Sequence, residues 1–105
     1  MVLDGIYIDS HSVDGVNTML QAFQIVSEKS SKLERKLKNG KISKRKSKDK
    51  QTRIIRKFFY TVAGEKNAEK LFQTCQSPSD YTALFVRCVV TLKNECADRQ
   101  TAENG

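Results

Sequence analysis

The stretch RKFFYTVAGEKNAEKLFQ, Arg56 to Gln73, decides how this chain folds. Ile54 and Ile55 stand just ahead of it, and with Phe58, Phe59 and Val62 they make a wide apolar stripe at helical spacing. Gly64 then ends that helix, and Ala68, Leu71 and Phe72 carry two further turns. The pattern predicts a helix, a glycine stop and a short second helix that folds back on the first. Neighbours on a helix point about 100° apart, so Phe58 and Phe59 cannot share one direction. One reaches the main core. The other either joins it or lines a groove or a partner surface.

Downstream, SPSD is the clearest helix start in the chain. Ser77 is placed as N-cap, Pro78 at the first helical position and Asp80 three residues after the cap, a capping box with Asp in place of Glu. The helix that follows sets Tyr81, Leu84, Phe85, Cys88, Val89, Leu92 and Cys96 on one face, and DRQTAENG trails off as a polar, frayed tail.

Upstream, GKISKRKSKDKQT holds a single apolar residue, Ile42. So little apolar surface predicts a mobile loop, or a helix only once its charge is neutralised. Before it, Val16, Met19, Leu20, Phe23, Val26, Leu33 and Leu37 recur at three- and four-residue steps. They mark a long amphipathic helix, capped by Ser12 or Asp14 and closed at Asn39-Gly40. Its second half has only the narrow Leu33/Leu37 stripe and is expected to fray or project. VLDGIYID, near the start, suits a short extended segment, one arm of a small hairpin around Asp4-Gly5.

The fold expected is therefore mainly α, a small bundle of three to four helices with a short extended N-terminal segment and a flexible basic loop. Its single domain divides into an extended segment over 1–10, a long helix over 12–38, a mobile basic loop over 39–52, a helix-turn-helix pair over 53–97 and a tail over 98–105. Composition agrees. At 105 residues with one Pro and five Gly, the chain suits neither an all-β sandwich nor an active-site cleft enclosed between domains.

The net charge of +7 is local. Lys38 to Arg53 holds eight basic residues and one acid, leaving the rest near neutral. Such a segment attracts phosphates, acidic proteins or anionic membranes. Lys41, Lys44, Arg45, Lys46, Lys48, Lys50 and Arg53 are the candidates for phosphate or acidic-partner binding. As a nucleic-acid site the run is sequence-blind and salt-dependent, with no interleaved aromatic for base stacking. It equally suits a nuclear-localisation patch, or a solvated loop meeting an acidic protein surface. No apolar moment runs through it, so a membrane surface has little to hold, and no window approaches 18 consecutive apolar residues.

No catalytic residue, metal site or cofactor is expected. His11 is the one histidine and suits an exposed loop, Cys88 falls on an apolar helix face, and no phosphate loop, dinucleotide fingerprint or nucleophile elbow occurs. Cys75, Cys88 and Cys96 are odd in number and spaced by 13 and 8, which predicts reduced thiols and a soluble, cytoplasmic protein. MVLDGIYIDS has no basic n-region and is not a signal peptide.

A polar helix, paired Phe and AGEKNAEKLF together resemble small tail-assembly chaperones of phages and prophages of Gram-positive bacteria. In that family a Phe-rich helix enters a Phe-Gly-Glu-Gly-Thr-(Ser/Ala)-Glu-Lys-(Leu/Ile)-Phe-like turn. Gly64, Glu65, Ala68, Glu69, Lys70, Leu71 and Phe72 fit that turn, whereas Ala63 stands for the expected Phe and Lys66-Asn67 for Gly-Thr. The resemblance covers roughly 53–92. It implies a non-enzymatic protein of the host cytoplasm that holds a helical, tape-measure-like partner in an aromatic groove. Phe58, Phe59, Tyr60, Leu71 and Phe72 are the partner-binding candidates, with the basic run on acidic partner surface. Homo-oligomerisation is compatible with either reading, phosphate binder or chaperone.

Overall fold

A computed structural model describes the backbone of residues 1–8 and 13–104, with side chains for 1–8 and 17–94. His11 and the Ser12 cap lie outside the described residues, as do the side chains of Asp14, Val16 and Cys96. The chain runs β1 (Val2–Leu3), β2 (Ile6–Tyr7), α1 (Val13–Lys38), α2 (Lys44–Ala63), α3 (Glu65–Phe72) and α4 (Pro78–Asn104). The expected mainly helical bundle with an extended N-terminal segment is what forms.

α2 is the central element and packs against α1, α3 and α4. This explains the Phe-Phe-Tyr run. Phe58 stacks on Phe23 of α1 at 5.0 Å between ring centroids and meets Phe85 of α4 edge-on at 5.1 Å. Phe59, one residue and about 100° further round, faces Phe72 of α3 at 6.1 Å. Tyr60 also meets Phe72, at 5.6 Å, and Tyr81 of α4 closes the far side at 5.3 Å. Helices on several sides of α2 allow adjacent aromatics to be buried together. All five phenylalanines of the chain join this network. Each edge-to-face or offset pair adds about 0.5–1.5 kcal/mol beyond its area.

Gly64 makes the fold-back. Its φ of 83° and ψ of 162° belong to glycine, its N–H donates to the Tyr60 carbonyl closing α2, and its own carbonyl accepts from Ala68 to open α3. At the next junction the capping box is complete. Ser77 Oγ accepts from the Asp80 N–H at 3.4 Å, while Asp80 Oδ2 accepts from the N–H groups of Gln76 (2.9 Å) and Ser77 (3.2 Å). These donors, Gln76 foremost, hold the Asp80 carboxyl below the usual carboxylate range.

The N-terminal segment is a two-residue β-hairpin in which Val2 pairs with Tyr7 and Leu3 with Ile6. Asp4 (φ 50°) and Gly5 (φ 82°) supply the two positive φ angles that such a turn requires. Met1, Leu3 and Ile8 are buried and join the core, and Arg87 of α4 reaches Asp4 at 3.0 Å.

Two expectations are corrected. The mobile basic loop over 39–52 shrinks to 39–43, because α2 begins at Lys44. The apolar stripe from Ile54 onward nucleates α2, and Lys, Arg and Gln are good helix formers, so the helix propagates toward the N-terminus without needing an apolar face of its own. It stops at Ser43, whose side chain accepts from the Lys46 N–H at 3.2 Å. On the other side of the connection α1 ends in a Schellman motif. Gly40 has φ 71°, its N–H donates to Leu37, and the Lys41 N–H donates to Lys36. The second correction concerns the tail, where the α4 backbone stays helical through Asn104 instead of fraying from 98.

Two expectations about stability follow from these junctions. A Cβ at Gly64 would meet nothing within 4 Å, so Gly64→Ala strains only the backbone and should cost about 1–3 kcal/mol, read as a lower urea midpoint. The Asp80 carboxylate stabilises the fold above its unfolded pKa, and that contribution is lost as pH falls through its depressed folded value. Wild type should therefore exceed Asp80→Asn in urea midpoint at pH 6, with the gap closing as pH drops below about 4.

Candidate functional site

α1 and α2 run antiparallel, as the contacts Phe23 to Phe58 and Ser30 Oγ to Gln51 Oε1 (3.0 Å) require. The basic second half of α1 therefore lies alongside the basic first half of α2. Between Lys29 and Lys57 there are fourteen of the 19 basic residues and two of the 12 acids, Glu34 and Asp49. This segment carries +12 against +7 for the whole chain, so the remainder is −5. All fourteen cations are exposed. Among the described residues none of them is in an ion pair, the pair present being Arg87 of α4 with Asp4 of the N-terminal hairpin.

Each candidate for phosphate or acidic-partner binding falls within this helical hairpin. Lys41 sits in the connection, Lys44, Arg45, Lys46 and Lys48 on the opening turns of α2, and Lys50 and Arg53 on the next two. Lys44, Arg45 and Lys46 also crowd the positive end of the α2 dipole, with no acid in the first turn to offset them. Sequence reasoning missed Lys29, Lys32, Arg35 and Lys36, which belong to the same surface. The signal was present as their helical spacing, but only the antiparallel pairing sets them beside α2.

The partner-binding candidates are placed differently. Phe59, Leu71 and Phe72 are buried, at 0, 2 and 9 % exposure, and Phe58 keeps 3 %. These four are core, which corrects the expectation of an open aromatic groove around them. Phe72 is covered on three sides by Phe59, Tyr60 and Tyr81, with the Arg56 guanidinium above its ring at 5.6 Å. Tyr60 alone of the five is half-buried.

Cys88 is fully buried, and burial pushes its thiol up to about 12. Cys75 is half-buried and shifted upward, by burial first and then by the charge of Asp80. Neither is held as a thiolate at neutral pH. Among the described residues no three His, Cys, Asp or Glu side chains cluster closely enough to hold a metal ion, and no helix is long and apolar enough to cross a membrane.

Comparison of the chain with protein families, with curated proteins and with solved structures finds no match.

Because Phe59 fills the centre of the bundle, Phe59→Ala should lower stability by about 3–5 kcal/mol in urea titration. A role confined to partner contact would leave the midpoint unchanged.

Proposed function

We propose that this protein is a non-enzymatic binding module whose helical hairpin, Lys29 to Lys57, engages the phosphate backbone of nucleic acid. The observation that carries this reading is the concentration of fourteen exposed cations, none of them in an ion pair among the described residues, beside two acids. Like charges at this density repel one another, and condensed phosphates relieve that repulsion while releasing their own counterions. From Lys44 to Lys57 the α2 axis rises about 20 Å, room for about six phosphates along one strand. The segment from Lys29 to Lys57 carries no aromatic residue of its own, so the binding reads charge and shape rather than bases.

The assembly-chaperone role implied by the resemblance ranks second. Its favourable feature is Tyr60, half-buried at the edge of the cluster beside Phe72. Four of its five contact residues, however, are committed to packing the bundle, so a partner gripping them would have to open it.

Fluorescence anisotropy with a labelled non-specific duplex tests the first reading. Wild type should bind at 50 mM salt and lose at least about a hundredfold in affinity by 200 mM. Replacing Lys41, Lys44, Arg45, Lys46 and Lys48 with Ala keeps helix propensity and should flatten the slope of log affinity against log salt by about four. No binding at 50 mM, or an unchanged slope in the variant, overturns the reading.

A further inference from the structure

The packing of α1 on α2 leaves a trough whose apolar floor phosphate binding does not use, although its rim shares cations with that surface. Two adjoining hollows, of about 360 and 280 Å³, share Lys29, Lys32 and Ile54, and so follow one another as a channel along the helix pair, with these three residues at their junction. Its floor is Ala22, Val26, Leu33, Ile54 and Phe58. Ile25 stands at its side with half of its surface uncovered, an aliphatic side chain that the fold itself leaves in water. Along α1 the channel runs from Thr18 to Lys36, about 27 Å, which matches a helix of about five turns.

The rim is predominantly positive. Lys29, Lys32 and Lys36 border it on α1, and Lys50, Arg53 and Lys57 on α2, with Glu28 the one acid. An occupant must therefore present a narrow apolar ridge with negative charge on both sides. An amphipathic helix with apolar residues at i, i+3, i+4 and i+7, flanked by Glu or Asp, has that form. A lipid bilayer does not, because Val26, Leu33 and Phe58 are 4, 7 and 3 % exposed and recessed below the rim, out of reach of a flat surface. An extended polyanion supplies the charge but no ridge.

We propose that the α1–α2 trough is a docking site for an acidic amphipathic helix of a protein partner. Six cations set its orientation and attract it, and the aliphatic floor with Ile25 holds it.

The probe is a synthetic 20-residue helix with a leucine stripe flanked by glutamates. A scrambled peptide of the same composition and a version with Lys for Glu serve as controls. At about 150 mM salt, an ionic strength that screens exposed charges beyond about 8 Å, the striped acidic peptide should bind at least tenfold more tightly than either control. Ile25→Gln, a neutral change at an exposed position, should weaken it by about tenfold while leaving duplex binding as in wild type. Amide chemical shifts of the wild-type protein should move along 18–36 and 50–61, a readout that needs no variant. Equal binding of the scrambled peptide, or of the Lys version, overturns the proposal, as do shifts confined to the exposed Val86 and Val90 of α4. So does sedimentation of wild type with vesicles one-third anionic in lipid that Ile25→Gln abolishes, since the aliphatic edge would then meet a bilayer. Because duplex binding and peptide binding are read on the same samples, failure of either proposal is distinguishable from failure of the other.

Discussion

The rest of this structure depends on the packing of Phe58, Phe59 and Tyr60 around a single turn of α2. Three consecutive aromatics sweep about 200° of a helix surface, more than one packing partner can cover. The chain answers with Phe23 from α1, Phe72 from α3 and Tyr81 with Phe85 from α4. Gly64 is required because α3 must reverse immediately to bring Phe72 over Phe59, and a left-handed residue is the shortest way to do it. The β-hairpin adds Met1, Leu3 and Ile8 to the same core.

That core makes the charged half of the molecule tolerable. Between Ser30 and Gln51 the helical hairpin is held by buried Leu33, half-buried Leu37 and Ile42, and the Ser30–Gln51 hydrogen bond. The capping of both helices, by Ser43 and by the Schellman turn at Gly40, satisfies the ends without any burial. Fourteen cations on so slight a seam oppose one another, a repulsion that the anionic ligand proposed above would offset. Charge segregation of this kind says more about what the protein meets than about how it folds.

The aromatic residues and the basic residues thus divide the labour differently from what their conspicuousness in the sequence suggests. The Phe-Phe-Tyr run attracts notice as a recognition element and turns out to be the centre of the core. The less conspicuous Val26, Leu33 and Ile54 end up at the floor of the trough between α1 and α2, recessed below its charged rim.

The sequence by itself determined the order of the helices and most of the junctions between them, but not where α2 begins. The Ser77–Asp80 box, the Gly64 stop, the Asp4-Gly5 turn and the closure at Gly40 are each fixed by local chemistry, which adjacent residues carry in full. It also pointed to Cys88 as core, from its place on the stripe with Leu84, and Cys88 is fully buried. Only the tertiary structure decided that Lys44 to Thr52 is helical, because the apolar stripe that drives it begins only at Ile54 and propagation carries no sequence signature of its own. Only the tertiary structure, likewise, buried both Phe58 and Phe59, since that depends on helices arriving from several sides at once. The pairing of Lys29, Lys32 and Lys36 with Lys50, Arg53 and Lys57 is of the same kind. Register between two helices is set by side-chain packing across more than twenty residues of chain, and local spacing does not encode it.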